Sequence, residues 1–166
     1  MIIDIRDADL DDPDHAAAIA EIVSAYAGEP FGGGAPLDDE VRARLVPGLR
    51  AHPTTLVLLA FAAGQPVGVA VCFFGFSTFQ ARPLLNVHDL AVLPDYRDQR
   101  IGRALLTAAE EHARARGCCK LTLEVLEDNR RARALYASFG FTDVAVGSSA
   151  STRFLTKPLR STDRPT

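Results

Sequence analysis

Three arginines, Arg97, Arg100 and Arg103, stand close to a glycine in the run Arg97-Asp98-Gln99-Arg100-Ile101-Gly102-Arg103. An apolar stretch over 87–93 and a Pro94-Asp95 turn precede the run. After it, Ile101, Leu105, Ala108, Ala109 and Ala113 recur at helical spacing. A buried strand, a basic turn and a helix N-terminus together make an anion site. The first amides of such a helix have no intrahelical acceptor, and its dipole is positive at that end. Gly102 has no Cβ to hold a ligand off the backbone. The guest that fits this chemistry is a phosphate or diphosphate. Two familiar phosphate loops are excluded, because neither GxxxxGK[ST] nor a GxGxxG after a strand occurs. Strand–turn–helix units also serve as plain scaffolding, so this stretch alone leaves both readings open.

A second group lies further on. Asn129, Ala132 and Tyr136 fall at i, i+3 and i+7, on one face of a helix. Two polar ends with a small residue between them suit a ligand lying along the helix. An N-cap asparagine and an interfacial tyrosine would give the same pattern without any ligand.

The elements that must position these residues follow from hydrophobic period and turn chemistry. The chain has 166 residues, 48% hydrophobic and 23% charged, as expected of one globular domain with a sizeable core. We read 1–160 as that domain and 161–166 as a polar tail. A short strand over 1–6 leads through an acidic stretch to a helix striped by Ala17, Ile19, Ile22, Val23 and Tyr26. A loop over 28–36 contains Gly32-Gly33-Gly34 and reads as a connector or substrate-side lid, since no strand feeds it and no lysine follows. Glu29, Asp38 and Asp39 near it could attract a cation, though a solvated acidic surface is the commoner explanation of such residues. A helix over 38–50 carries Val41, Leu45 and Leu49. The runs 54–62 and 67–76 form a hairpin around residues 63–66. After the strand and helix of the opening stretch, Gly117 serves as a C-cap. A strand over 119–126, a helix capped by Asn129 and ended by Gly140, and two closing strands over 141–146 and 152–159 complete the order.

Bulk composition excludes several roles. The net charge of −3 gives no footing for nucleic acid. No apolar run reaches membrane-spanning length, and the acidic start of the chain lacks a signal-peptide pattern. Cys72, Cys118 and Cys119 are odd in number, and neighbouring cysteines do not normally bridge. Reduced thiols in a cytoplasm are the expectation, without a metal site.

Taken together, the two groups resemble the GNAT superfamily of N-acetyltransferases. Its nucleotide loop, [Q/R]-x-x-G-x-[G/A] after a strand ending V-x-P-x-[Y/F], is similar to Val92, Pro94, Tyr96, Arg97, Arg100 and Gly102 here. Its second motif, N-x-x-[A/S]-x-x-x-Y-x-x-x-G-F, is matched by Asn129, Ala132, Tyr136, Gly140 and Phe141. One residue departs from the pattern: Arg100 occupies the place of the first loop glycine. A left-handed backbone or a close phosphate approach at that point would make the arginine weaken or reshape cofactor binding.

The resemblance implies an α/β (α+β) fold, with a mixed sheet of about seven strands, four helices and a splay between strands four and five. It implies acetyl-CoA as co-substrate, bound by Arg97, Asp98, Gln99, Arg100, Ile101, Gly102, Arg103 and Ala104, with its diphosphate on the N–H groups of Asp98 to Arg103. The pantetheine arm would pair with the backbone of Leu90, Ala91 and Val92, with Asn129 and Ala132 alongside. Acetyl transfer to an amine needs a base, because an alkylammonium with a pKa of roughly 10.4 has no lone pair. It also needs an acid for the departing thiolate. Tyr136 is the acid of choice and His88 the base, with Asp89 its rival, since strand alternation sends the two to opposite faces. The string Val-His-Asp-Leu-Ala-Val is similar to the diamine acetyltransferase branch, which points to a small primary amine such as a polyamine or basic amino acid. A homodimer is implied by the family alone. The competing readings are a non-catalytic CoA-binding sensor and a protein or peptide N-acetyltransferase.

Overall fold

The computed structural model describes residues 2–142. In chain order these form β1 (Ile3–Asp7), α1 (Pro13–Ala27), α2 (Asp39–Ala51), β2 (Thr55–Ala62), β3 (Gln65–Ser77), β4 (Arg82–Val92), α3 (Ile101–Ala115), β5 (Leu121–Thr122) and α4 (Arg130–Phe139). A single 3₁₀ turn, Pro94–Tyr96, separates β4 from α3. The sheet order is β1-β2-β3-β4-β5. The first three junctions are antiparallel and β5 runs parallel to β4. The sheet is therefore mixed, and the described residues form four α-helices, as expected.

The described sheet has five strands, where about seven were expected. Phe141 and Thr142 are not in a strand. The rest of the two closing strands expected over 141–146 and 152–159, and the tail over 161–166, lie outside the described residues. The strand expected over 119–126 shrinks to Leu121–Thr122. Its ladder to β4 consists of Leu85↔Leu121 and Asn86↔Thr122, beyond which the two chains diverge.

The hairpin turn between β2 and β3 is tighter than expected. Ala63 (φ 49°) and Gly64 (φ 80°) alone make it, both left-handed, which matches the twist of the paired strands. Gln65 and Pro66 already belong to β3.

Two apolar layers sandwich the sheet. Ile101, Leu105, Leu106, Ala109 and Ala113 of α3 pack on Leu58, Ala70, Cys72, Leu85 and Val87. Ile19 and Ile22 of α1, with Val46 and Leu49 of α2, cover Val57, Leu59, Val69 and Val71 on the other face. Because β2 and β3 are covered on both sides, they read as continuous apolar runs rather than alternating ones. In α2 the expected stripe was Val41, Leu45 and Leu49, but Val41 is exposed and Val46 is buried beside Leu49. A four-residue step overshoots the helical turn by about 40°, so over two steps the stripe rotates off the core.

Helix starts differ in one respect that matters for the site. Asp12 caps α1 through Asp14 N at 2.8 Å, Asp38 caps α2 through Val41 N at 2.8 Å, and Asn129 caps α4 through Ala132 N at 3.1 Å. The helix α3 begins at Arg100 (φ 64°, ψ 11°) and has no side-chain cap.

Candidate active site

The fork between β4 and β5 is pinned at its closed end by Asn86, whose Nδ2 donates to Thr122 Oγ1 at 3.1 Å. Past that point the edge of β4 has no strand partner among the described residues. A cleft of about 650 Å³ opens there. Leu90, Ala91 and Val92 form one wall and Asn129, Ala132 and Tyr136 of α4 face it. The turn residues Arg97, Asp98, Arg100, Ile101, Gly102 and Arg103 roof the cleft. The two sequence groups are thus brought to one place.

The roof is an uncapped helix end. With no side chain on its first amides, the start of α3 presents free N–H donors and the positive end of its dipole to the cleft. The arginines contribute less freely than their charge implies. Arg97 forms an ion pair with Glu29, and its Nε donates to Val92 O at 3.0 Å. Arg103 donates to Ser138 Oγ at 2.6 Å. Asp98 is paired with Arg131 of α4 at 3.1 Å. The amides at the start of α3 and the guanidinium of Arg100 are the uncommitted donors. Arg100 is indeed left-handed, so the departure from the family glycine falls where a Cβ is costly.

Two expected cofactor residues do not line the cleft. Gln99 turns back, its Nε2 donating to Asp95 O at 3.2 Å. The amide of Ala104 is committed to the Arg100 carbonyl at 3.0 Å, because the first turn of α3 has already closed at that residue. Asn129 lines the cleft; its Oδ1 accepts from Ala132 N in capping α4, and no described group takes its Nδ2.

Tyr136 stands edge-on to Phe141, with ring centroids 5.8 Å apart. Burial pushes its phenol up to about 12, with the Tyr26 phenol and the Asp89 carboxyl adding to the shift. The group is therefore held protonated. Burial likewise raises Tyr26, with Asp89 and Glu29 contributing.

The two base candidates sit at an irregularity. Val71 pairs with Asp89 while Cys72 pairs with Val87, so His88 is the extra residue of a bulge. Strict alternation, on which the expectation of opposite faces rested, does not run through this point. His88 is exposed and edge-on to Phe73, with centroids 5.6 Å apart, and it does not line the cleft. Asp89 does not line the cleft either, but it is half-buried and within electrostatic reach of Tyr26 and Tyr136, which do. Burial raises its carboxyl above the usual range, and the neighbouring His88 opposes that rise.

Sequence reasoning missed Tyr26 and Arg131 as cleft residues, Tyr26 because it looked like part of the apolar stripe of α1. Of the three acids near the lid, Glu29 lines the cleft and Asp38 and Asp39 do not. Among the described residues no cluster of His, Cys, Asp and Glu could hold a metal ion. No described helix is long and apolar enough to cross a membrane.

The model of the acetyltransferase (GNAT) family matches residues 17–141, and the chain belongs to that family. Thialysine N-epsilon-acetyltransferase of Bos taurus is 36% identical over 88 residues, covering 50% of this chain and 51% of the relative. A [ribosomal protein bS18]-alanine N-acetyltransferase of Escherichia coli (strain K12) is 43% identical over 61 residues, 37% of this chain and 41% of the relative. The chain thus spans about half the length of the curated relatives it matches. A putative acetyltransferase from Arthrobacter sp. FB24 superposes with a TM-score of 0.75 at 30% identity, covering 94% of this chain and 96% of that one.

Proposed function

We propose that the protein is an N-acetyltransferase that moves the acetyl group of acetyl-CoA to a primary amine of a small molecule, polyamine-like or amino-acid-like, by direct attack. One observation carries the reading: α3 alone among the four described α-helices lacks a side-chain cap, and its bare start opens on the unpaired edge of β4.

The residues fit the cofactor. The amides at the start of α3 match a diphosphate, and the edge of β4 at Leu90 to Val92, which has no strand partner there and of which Val92 O is already taken by Arg97, matches an amide-bearing pantetheine arm. When bound, the thioester supplies the electrophile. Asp89 takes the proton from the acceptor ammonium, with His88 beside it, and its raised pKa makes it a stronger base than an ordinary carboxylate. Tyr136 holds a proton at its phenol oxygen and gives it to the departing sulfur. Burial that raises the phenol also raises a thiolate in the same cleft, so the two remain matched.

The thialysine enzyme and the ribosomal-protein-alanine enzyme among the relatives represent the two acceptor classes, small amine and protein. A cytoplasmic setting and a homodimer complete the reading. The first rests on the three free cysteines, the second on the resemblance alone. The test is release of free thiol from acetyl-CoA in the presence of polyamines, amino acids, aminoglycosides and peptides in turn. Turnover with small amines is the expected result. Turnover with peptides alone would favour the polypeptide class, and silence throughout would favour a CoA-binding sensor.

A further inference from the structure

The ion pair between Arg97 and Glu29 joins parts of the cleft that are otherwise separate. Both side chains are partly buried, 27% and 28% exposed. Glu29 organises the loop over 28–36: its carbonyl accepts the amides of Gly32, Gly33 and Gly34 at 2.9, 3.2 and 3.0 Å. Gly32 is pressed so close to the last turn of α1 that a Cβ there would lie 1.9 Å from Tyr26 O. The loop is thereby wound onto α1, and the Glu29 carboxylate is the group it extends to the opposite wall. Arg97, for its part, ties that carboxylate to the end of the β4 edge through Val92 O at 3.0 Å.

Arg97 is also the first residue of the turn that roofs the cleft. A diphosphate bound there carries more charge than a carboxylate and offers the guanidinium the same two-pronged geometry. Drawing Arg97 away would leave Glu29 partly buried without a cation, which is costly unless another arrives. Glu29, Tyr26 and Tyr136 line the same cleft, which puts the carboxylate in the space that an acceptor would share with the reacting groups.

We propose that Arg97 is exchanged between Glu29 and the cofactor diphosphate, and that the Glu29 carboxylate so released holds a second cationic group of the acceptor. The inference rests on the acetyltransferase reading above. It narrows the acceptor to amines that carry a further positive charge, and it makes cofactor binding a precondition for recognising them.

Calorimetric titration of the full chain tests this. CoA should bind Glu29→Gln at least threefold more tightly than wild type, because nothing competes for Arg97. Pantetheine, which lacks the diphosphate, should bind both alike, and Glu29→Asp should behave as wild type. With CoA saturating, putrescine should bind wild type at least tenfold more tightly than butylamine, and that ratio should fall toward one in Glu29→Gln. Equal or weaker CoA binding by Glu29→Gln, or a putrescine preference that survives the substitution or is absent from wild type, overturns the exchange. Failure of wild type to bind CoA at all overturns the acetyltransferase reading itself, and the exchange with it.

Discussion

A Cβ on Gly102 would meet Cδ2 of Leu135 at 3.0 Å, so the first turn of α3 and the middle of α4 touch at bare backbone. From the sequence, Gly102 was argued to admit a ligand. The structure gives it a second task, letting α4 come close enough to form the far wall of the cleft. The Asp98–Arg131 and Arg103–Ser138 contacts reinforce the same junction. Roof and far wall are held as one unit, which fixes the distance between the amides of α3 and the phenol of Tyr136.

Replacing Tyr136 with Phe removes one oxygen and little volume. Turnover should fall by about 10²–10⁴, the usual contribution of a positioned acid, while CoA affinity by calorimetry stays within about twofold. Unaltered turnover would remove Tyr136 from the proton route.

Arg100 adopts φ 64° without being glycine. Arg100→Gly should raise the free energy of unfolding by about 0.5–1 kcal/mol. A left-handed conformation costs a side-chain-bearing residue roughly 1–2 kcal/mol, and the greater freedom of glycine in the unfolded chain returns roughly half of that. CoA should bind two- to fivefold more weakly, since a cation is lost at the roof. Urea unfolding and calorimetry read the two effects separately.

Gly32 and Gly102 should respond differently to alanine. The Gly32 Cβ would collide with the Tyr26 carbonyl at 1.9 Å, a backbone group that cannot yield locally. Gly32→Ala should cost about 1–3 kcal/mol, as overpacking does. Gly102→Ala meets only the flexible tip of Leu135 and should change stability by less than about 1 kcal/mol. Comparable losses in the two variants would contradict this placement of the loop.

Asp89 gives a pH dependence of defined sign. Burial raises its folded carboxyl above the ordinary value of 3.8. Below that value the group is protonated in both states, and its contribution to stability is fully present. As pH rises from about 3.8 through the raised folded value, the unfolded chain releases its proton first and the contribution is lost. Wild type should therefore lose stability relative to Asp89→Asn across that window and run parallel to it above. Melting curves of the two proteins against pH give the comparison, and parallel curves throughout would contradict a buried carboxyl here.

Much of the fold was legible because period and turn chemistry agreed. Of the stripe Ile101, Leu105, Ala108, Ala109 and Ala113, all are buried but Ala108, which is partly so, and Asn129 and Gly140 bound α4 as read. The α2 stripe misled because exact fourth-residue spacing looks helical while drifting off the face. The bulge at His88 was invisible because an inserted residue leaves no mark in a continuous apolar run. Cleft residues were legible where a motif named them and lost where a pairing decided the matter. Glu29 meets Arg97 across a sequence separation of 68 residues, and nothing in either neighbourhood announces the other.

The missing cap on α3 has a wider meaning. A helix that starts without its own stopper leaves the molecule unfinished until a guest completes it, so occupancy becomes part of the folding equilibrium. At a ligand concentration a hundred times the dissociation constant, that linkage adds roughly 2.7 kcal/mol. Under the acetyltransferase proposal the working form is the loaded form, and resistance to heat or protease should rise with the supply of CoA.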